Sequence, residues 1–389
     1  MFIKKLLNLR YLFLYFSFLL LVGGFVLYSS KFLNIESDEG YILLVKDGDN
    51  LKKIVSKLSA DRVIDDEFLV YTLARAVAFN IRVDIGEYKL EKGSDVFDLI
   101  KKLKHKKYFY RNLTLIEGET VASFREKLDG SFGLIGNITE EMKDGFFMPD
   151  TYKYKYGETK DSMIKRAKDS MNLYVNEMWR NYVVNAGLQD KFYLKDVNEV
   201  LTLASIVEKE TGVGFERGLI AGVFKNRLQT GMRLQTDPTV IYQVTNGVYK
   251  LNRSLTKEDL EVDGPYNTYK IFGLPPAPIA NPGRDAIKAV FEPTVTDSLY
   301  FVANGDGGHS FAATLEEHNK NASEYKEKMG IVDVAPAEKA KETKDVKGKG
   351  AKAGKYDNMK SSVKSISKQK EPKKKEVNKS SAKKKQAAN

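Results

Sequence analysis

The feature that most limits how this 389-residue chain is built is an uncharged, mostly apolar run near its start, Tyr11–Tyr28. About 18 such residues lie near the lower end of what crosses a bilayer as a helix. Lys4, Lys5 and Arg10 precede the run, while Glu36, Asp38 and Glu39 follow soon after Lys31. Basic flanks stay on the cytoplasmic side, so the bias predicts residues 1–10 in the cytoplasm, 11–28 as a single transmembrane helix, and the remainder outside. The rival is a cleaved signal peptide. The run is longer than a usual apolar core of such a peptide, and Ser29-Ser30-Lys31 is a poor small-x-small cleavage site, so an uncleaved anchor is favoured.

The net charge of +11 suggests nucleic acid until its distribution is considered. Residues 334–389 carry 18 Lys against 6 acidic residues, which leaves the other 333 residues at −1. The folded part is near neutral, and no nucleic-acid partner is expected. A tail rich in Lys, Ser and Ala with almost no large apolar residues cannot bury enough surface to fold, so 334–389 reads as disordered. It is either simply solvated or in contact with an anionic polymer or lipid. The chain has no cysteine, which excludes a disulfide scaffold and thiolate catalysis. Its three histidines, His105, His309 and His318, lack metal-ligand spacing, so neither a metal nor a cofactor is expected.

Between anchor and tail lie enough residues for two units, and the fold class read from the patterns is α+β. The first unit, 41–107, is a small αβ module: a strand at Tyr41–Val45, a helix with Leu51, Ile54, Val55 and Leu58 on one face, and a second helix after Asp65-Asp66. A strand at Gly86–Leu90 and a third helix capped by Ser94 complete it. The second unit, 108–330, is larger and mixed α/β. It opens with a strand over Tyr108–Ile116 and a short helix capped by Thr120, and FFMPDTYKYKYG at 146–157 alternates like a strand pair. A long amphipathic helix covers 161–184, another covers Arg217–Leu228 with Ile220, Val223, Phe224 and Leu228 inward, and a hairpin forms around Asn304–Gly308. Thr314 and Glu317 form a capping box that opens the last helix.

The chemically suggestive helix is Val197–Thr211, which contains LTLASIVEKET. Asp196 and Glu199 have capping-box spacing, and Gly212 is a plausible stop. At 100° per residue, Val197, Val200, Leu201, Ala204, Val207 and Glu208 share one face, and Glu210 projects from roughly the opposite side. A lone carboxyl on an apolar face is desolvated, which raises its pKa toward the range of a general acid. The alternative is a helix-end Glu that reaches water or pairs with Lys or Arg.

Polar and aromatic residues of site type then recur: Gln235, Asp237 and Tyr242 in MRLQTDPTVIY, Tyr266, Asn267, Thr268 and Tyr269 in PYNTY, GLPPAPIANPG at Gly273–Gly283, and His309 in GGHSF. With ASIVEKETG, these strings resemble the YceG-like family of endolytic lytic transglycosylases of bacterial cell walls, over about Tyr41 to Lys328. The resemblance implies cleavage of the β-1,4 bond within peptidoglycan glycan strands to leave 1,6-anhydro-N-acetylmuramic acid ends. The acid/base falls on the first Glu of the IVEKET string, Glu208. One carboxyl then suffices, because the C6 hydroxyl of the same sugar is the nucleophile. Gln235, Asp237, Tyr242, Tyr266, Asn267, Thr268 and His309 are the expected substrate contacts, although Asp237-Pro238 also suits a helix start and Asn267 a turn cap. GDNLKKIVSKL resembles the first strand–helix unit of the LysM modules that bind N-acetylglucosamine polymers. The resemblance further implies an inner-membrane protein with a periplasmic catalytic part, acting on nascent glycan, limiting strand length, and lying beside synthases of the penicillin-binding class. Two departures are Ala277, where Gly is the commoner residue, and Gln243 after Tyr242. A muramidase using Asp237 as second carboxylate and a non-catalytic wall-binding tether are the alternatives.

Overall fold

In the computed structural model, residues 2–29, 33–79, 81–188, 191–248 and 251–331 are described, and the lysine-rich segment 334–389 lies outside them. Phe2–Ser29 is one helix, α1. Nearly all its side chains from Tyr11 to Phe25 are exposed and apolar. Among the described residues no helix is long and apolar enough to cross a membrane. The span expected over Tyr11–Tyr28 therefore remains a reading of the sequence.

The first module follows the sequence closely. Strand β1 (Tyr41–Val45) pairs antiparallel with β2 (Gly86–Leu90), and helices α2 (Leu51–Ala60) and α3 (Glu67–Val77) lie between them in the chain. Helix α4 (Val96–Lys104) follows β2 and shares one core with it, built from Leu43, Val45, Ile54, Leu58, Tyr88, Leu90, Leu99 and Leu103. Side-chain caps set the helix starts: Asn50 accepts from the Lys53 amide at 3.0 Å and Asp66 from Leu69 at 2.9 Å. At α4 the cap is Asp95, in a reciprocal box with Asp98, and not Ser94, which is buried.

Strand β3 (Tyr110–Leu115) leads into α5 (Val121–Gly130) and pairs antiparallel with β4 (Asp150–Lys155). The 146–157 segment thus supplies one strand, not two. Phe147 and Met148 are both buried, and they enter different hydrophobic clusters, so the alternation that would extend a strand is broken there. Thr120 is the residue before α5 but makes no side-chain cap. Instead the Val121 N–H donates to Asp144 at 2.6 Å.

The rest of the chain is mainly helical. Helix α6 (Lys160–Trp179) continues into a π-helical turn at Arg180–Val184, then come α7 (Val197–Glu210), α8 (Arg217–Gln229), α9 (Asp237–Val244), the single turn α10 (Lys257–Leu260) and α11 (Arg284–Phe291). Strands β5 (Tyr300–Ala303) and β6 (His309–Ala312) form the expected hairpin, and α12 (Leu315–Lys328) opens on the Thr314/Glu317 capping box. The sequence pattern did not single out α10 or α11. Helix α7 packs against α6, α8, α9 and α11, and every residue from Val200 to Val207 is buried. It is the axle of the larger core.

The GLPPAPIANPG segment ties this helix to the rest. The Ile279 N–H donates to the Ser205 hydroxyl of α7 at 3.0 Å. Asn281, fully buried, accepts from the Gly145 and Phe147 amides at 3.0 and 3.2 Å and donates to the Glu119 carbonyl at 2.9 Å. A proline-rich segment lacks several backbone donors, and one side-chain amide here satisfies three partners of neighbouring loops.

Candidate active site

The C-terminal turn of α7 carries both glutamates of the IVEKET string, and the structure separates their environments. Asp196 caps the helix, accepting from the Glu199 amide at 2.9 Å, while Glu199 reaches one residue further back, to the Lys195 amide at 2.8 Å. The helix ends at Glu210 with Thr211 as its cap, one residue before Gly212. Because its middle turns are buried all round, α7 has no polar face against which an apolar one is defined. Amphipathic periodicity therefore cannot say which glutamate meets a cavity.

Glu208, the expected acid/base, is held in an ion-paired cluster. Its Oε1 lies 3.1 Å from the Arg217 guanidinium and its Oε2 accepts from the Gly283 N–H at 2.9 Å, with only 5% of its side chain and 11% of Arg217's exposed. Glu117 stands 3.9 Å from the same guanidinium, and the neighbouring Lys209 donates to the Gly118 carbonyl at 3.3 Å. These bonds fasten the loops at Gly118 and Gly283 to the end of α7. Both Glu208 oxygens are engaged, and Glu208 is in the wall neither of the cavity that Glu210 lines nor of the one that Tyr242 and Tyr266 line.

Glu210 is the carboxyl that lines a cavity. The cavity holds about 500 Å³ and is walled by Glu210, Gln235, Asp237, Tyr269 and His309 from the expected strings, with Arg227, Tyr300 and His318 among the others. Burial pushes the Glu210 carboxyl up to about 7, and the Asp237 carboxylate adds to the rise. Thr236, whose hydroxyl donates to Glu210, together with His309 and Arg227, opposes that rise without cancelling it. The physical signal expected at Glu208, a desolvated carboxyl poised near neutrality, is present two residues later.

The other expected contacts divide. Gln235 sits in the left-handed region at φ 49°, a conformation uncommon for a residue with a side chain, and its N–H donates to the Thr268 carbonyl at 3.2 Å. Asp237 begins α9, with Pro238 following as a first-turn proline, and accepts from the Tyr269 hydroxyl at 2.6 Å. Asn267 and Thr268 are fully buried and do not face the cavity. Asn267 donates to the carbonyls of Leu260 and Val262 at 3.0 and 2.7 Å, which makes it the turn cap. Thr268 meets the Thr239 hydroxyl at 2.8 Å and accepts from the Thr236 N–H at 3.0 Å. It holds the Gln235 loop in place.

Tyr242 and Tyr266 are likewise absent from the Glu210 cavity. Their rings pack 4.8 Å apart, and they wall a second cavity of about 570 Å³ with Asp144, Arg125 and Phe146. The Tyr242 hydroxyl donates to Asp144 at 2.7 Å.

His309 is a wall of the first cavity, and its hydrogen-bond partner is Glu216. The ring Nδ1 and the backbone N–H each lie 2.8 Å from one Glu216 oxygen. The residues that sequence reasoning passed over are Glu210, Arg227, Glu216, Tyr300 and His318. Arg227 did carry a signal: it continues the Ile220, Val223, Phe224 stripe of α8, where a cation interrupts a buried row. Its guanidinium donates to the Leu299 and Leu234 carbonyls at 2.6 and 2.5 Å and lies 5.6 Å from the Tyr300 ring centre. Glu216 carried none, because its role depends on a strand ninety-three residues away.

Comparison with known proteins converges on one family. The model of the YceG-like family matches residues 43–324. The chain is similar to an endolytic murein transglycosylase of Bacillus subtilis (strain 168), 33% identical over 348 residues, which covers 79% of this chain and 91% of that protein. It is also similar to an endolytic murein transglycosylase of Streptococcus pneumoniae (strain ATCC BAA-255 / R6), 28% identical over 364 residues, covering 80% of this chain and 64% of that one. Among solved structures, a putative yceG-like protein from Listeria monocytogenes is 28% identical with a TM-score of 0.45, over 73% of this chain and 99% of that chain. With most of its length matched by the family model and by these relatives, the chain belongs to the YceG-like family.

Proposed function

We propose that this protein is an endolytic lytic transglycosylase that cuts within the glycan strands of peptidoglycan, with Glu210 as its acid. The activity is that named for its relatives, and the observation that carries the residue assignment is the Glu210 carboxyl in the wall of a polar cavity, pushed up to about 7. Splitting a glycosidic bond needs a proton on the leaving oxygen and some means of capturing an oxocarbenium-like carbon. Near neutral pH Glu210 is protonated in a useful fraction of molecules and can give that proton. The C6 hydroxyl of the same N-acetylmuramic acid then closes on C1. An internal nucleophile has a high effective concentration, so no water need be activated and the product is a 1,6-anhydro ring. The reaction needs one proton acceptor in the cavity for that hydroxyl.

One observation favours hydrolysis as a second reading: Asp237 lines the same cavity and is a second carboxylate beside Glu210. Against it, Asp237 is held by the Tyr269 hydroxyl and occupies the first turn of α9. Product mass decides between the two. Full-length protein acting on purified peptidoglycan is expected to release muropeptides lighter by one water than hydrolytic products and without a reducing end. Reducing ends would establish the muramidase.

The wider setting is part of the same proposal. The basic flank and apolar Tyr11–Tyr28 run support a single-pass anchor with the catalytic part outside the cytoplasmic membrane. An anchored enzyme works close to where glycan is polymerised, beside the synthases, which supports a role in limiting strand length. The module around β1, α2, α3 and β2 would seat the strand as a LysM-like glycan contact.

A further inference from the structure

Beneath the cavity lies a second titratable pair, on which the single-carboxyl chemistry makes no demand. Glu216, at the end of a 3₁₀ turn before α8, has 4% of its side chain exposed. One of its oxygens accepts from the His309 backbone N–H and the other meets His309 Nδ1, both at 2.8 Å. The Thr211 hydroxyl adds a third contact at 3.3 Å. Burial opposes ionisation of this carboxyl, but the hydrogen bonds from His309 outweigh it and hold the group below its ordinary pKa. A carboxylate can only accept, so the proton of a neutral His309 ring sits on Nδ1 and Nε2 carries the free lone pair.

The ring is also fixed in orientation. Phe301 meets it edge-on at 5.4 Å and 89°, Phe311 lies 6.4 Å away, and 16% of the side chain stays accessible, as a wall of the cavity. Glycine at 308 is a condition of this arrangement. A β-carbon there would stand 2.4 Å from the Glu216 oxygen that accepts the His309 amide. The remaining ionisable groups of the cavity are Glu210, Arg227, Asp237, Tyr269, Tyr300 and His318.

We propose that His309 is the base of the transglycosylation, taking the C6 hydroxyl proton on Nε2, and that Glu216 is the positioning residue that selects this tautomer. The inference rests on the lytic reading given above. As the C1–O4 bond breaks, Glu210 gives its proton to O4 of the leaving sugar. The C6 oxygen bonds to C1 and its proton passes to Nε2, forming an imidazolium stabilised by the Glu216 carboxylate. The imidazolium then returns the proton to the Glu210 carboxylate across the cavity that both groups line, and no water is consumed. Acid and base are thus separate groups on one cavity wall.

The test uses full-length protein. In the unmodified chain, ¹⁵N imidazole shifts are expected to report that the neutral form of His309 carries its proton on Nδ1 and leaves Nε2 unprotonated, and three histidines make the assignment tractable. His309→Asn is expected to lower kcat by about 10²–10⁴-fold with KM changed by only a few-fold. In Glu216→Gln the amide offers one acceptor and one donor to two N–H groups. His309 should therefore move its proton to Nε2, and kcat should fall with it. Glu216→Asp, which keeps the charge, should recover part of that loss. A neutral His309 ring with its proton on Nε2 in the unmodified chain overturns the proposal. So does a folded His309→Asn within about tenfold of parent kcat, a tenth of the loss of a positioned base. If anhydro products persist in that variant while Glu210→Gln is inactive, the lytic reading stands and only the role of His309 fails. Reducing-end products from the unmodified chain would instead remove the lytic reading itself.

Discussion

Glu210→Gln and Glu208→Gln alter residues two apart on one helix, and the structure predicts opposite consequences. At 210 the carboxyl is raised from an ordinary 4.5 to about 7 by burial. An acid whose folded pKa is raised destabilises the fold once ionised. Below about 4.5 both states are protonated and nothing is lost, and the penalty grows between 4.5 and 7 and is complete above. At 1.36 kcal/mol per unit, that penalty is about 3 kcal/mol. Gln still accepts from Thr236 and carries no charge, so Glu210→Gln should melt several degrees higher than the parent at pH 8 and near the parent at pH 4. Its turnover should nonetheless fall by about 10²–10⁴-fold, as for loss of a positioned acid. At 208 the change removes one half of a buried ion pair and leaves Arg217 with Glu117 at 3.9 Å. The cost should approach about 3 kcal/mol, the low end for a broken buried pair, since Gln keeps the Gly283 hydrogen bond. Thermal melts at both pH values, with muropeptide release assayed at a temperature where both variants are folded, separate stability from catalysis. A folded Glu208→Gln that is inactive beside an active Glu210→Gln would refute the reasoning and return the acid to Glu208.

The pH dependence of turnover should show an alkaline limb near pH 7, since the proton Glu210 must donate is lost as pH rises through its folded pKa, and stopped assays of product release across pH 5–9 would reveal a limb displaced by more than about one unit. The anchor proposal expects the protein to sediment with membranes and to resist carbonate extraction, and a soluble chain starting near Ser30 would mean the apolar run is removed.

Much of the local structure was legible in the sequence. Strands at Tyr41–Val45 and Gly86–Leu90, the helix starting at Arg217, the Thr314/Glu317 box and the hairpin at Asn304–Gly308 all follow from short-range chemistry: period, caps and turn residues. The strings that placed the chain in its family also delivered Gln235, Asp237, Tyr269 and His309 to one cavity. Tertiary structure decided the rest. Asn267 and Thr268 have the side chains of sugar-binding residues, but loop packing uses up their hydrogen-bonding groups. Tyr242 and Tyr266 belong to a second cavity because Asp144 and the PYNTY turn hold them there. The choice between Glu208 and Glu210 was beyond any periodicity, since α7 is buried on every side and its direction of exposure is set by what packs at its end. Arg217 and Gly283 close over one carboxyl, while Gln235, Arg227 and the β5–β6 hairpin wall a cavity beside the other. A sequence specifies which groups can ionise, but the dielectric and the partners that give each its pKa come from segments far apart in the chain.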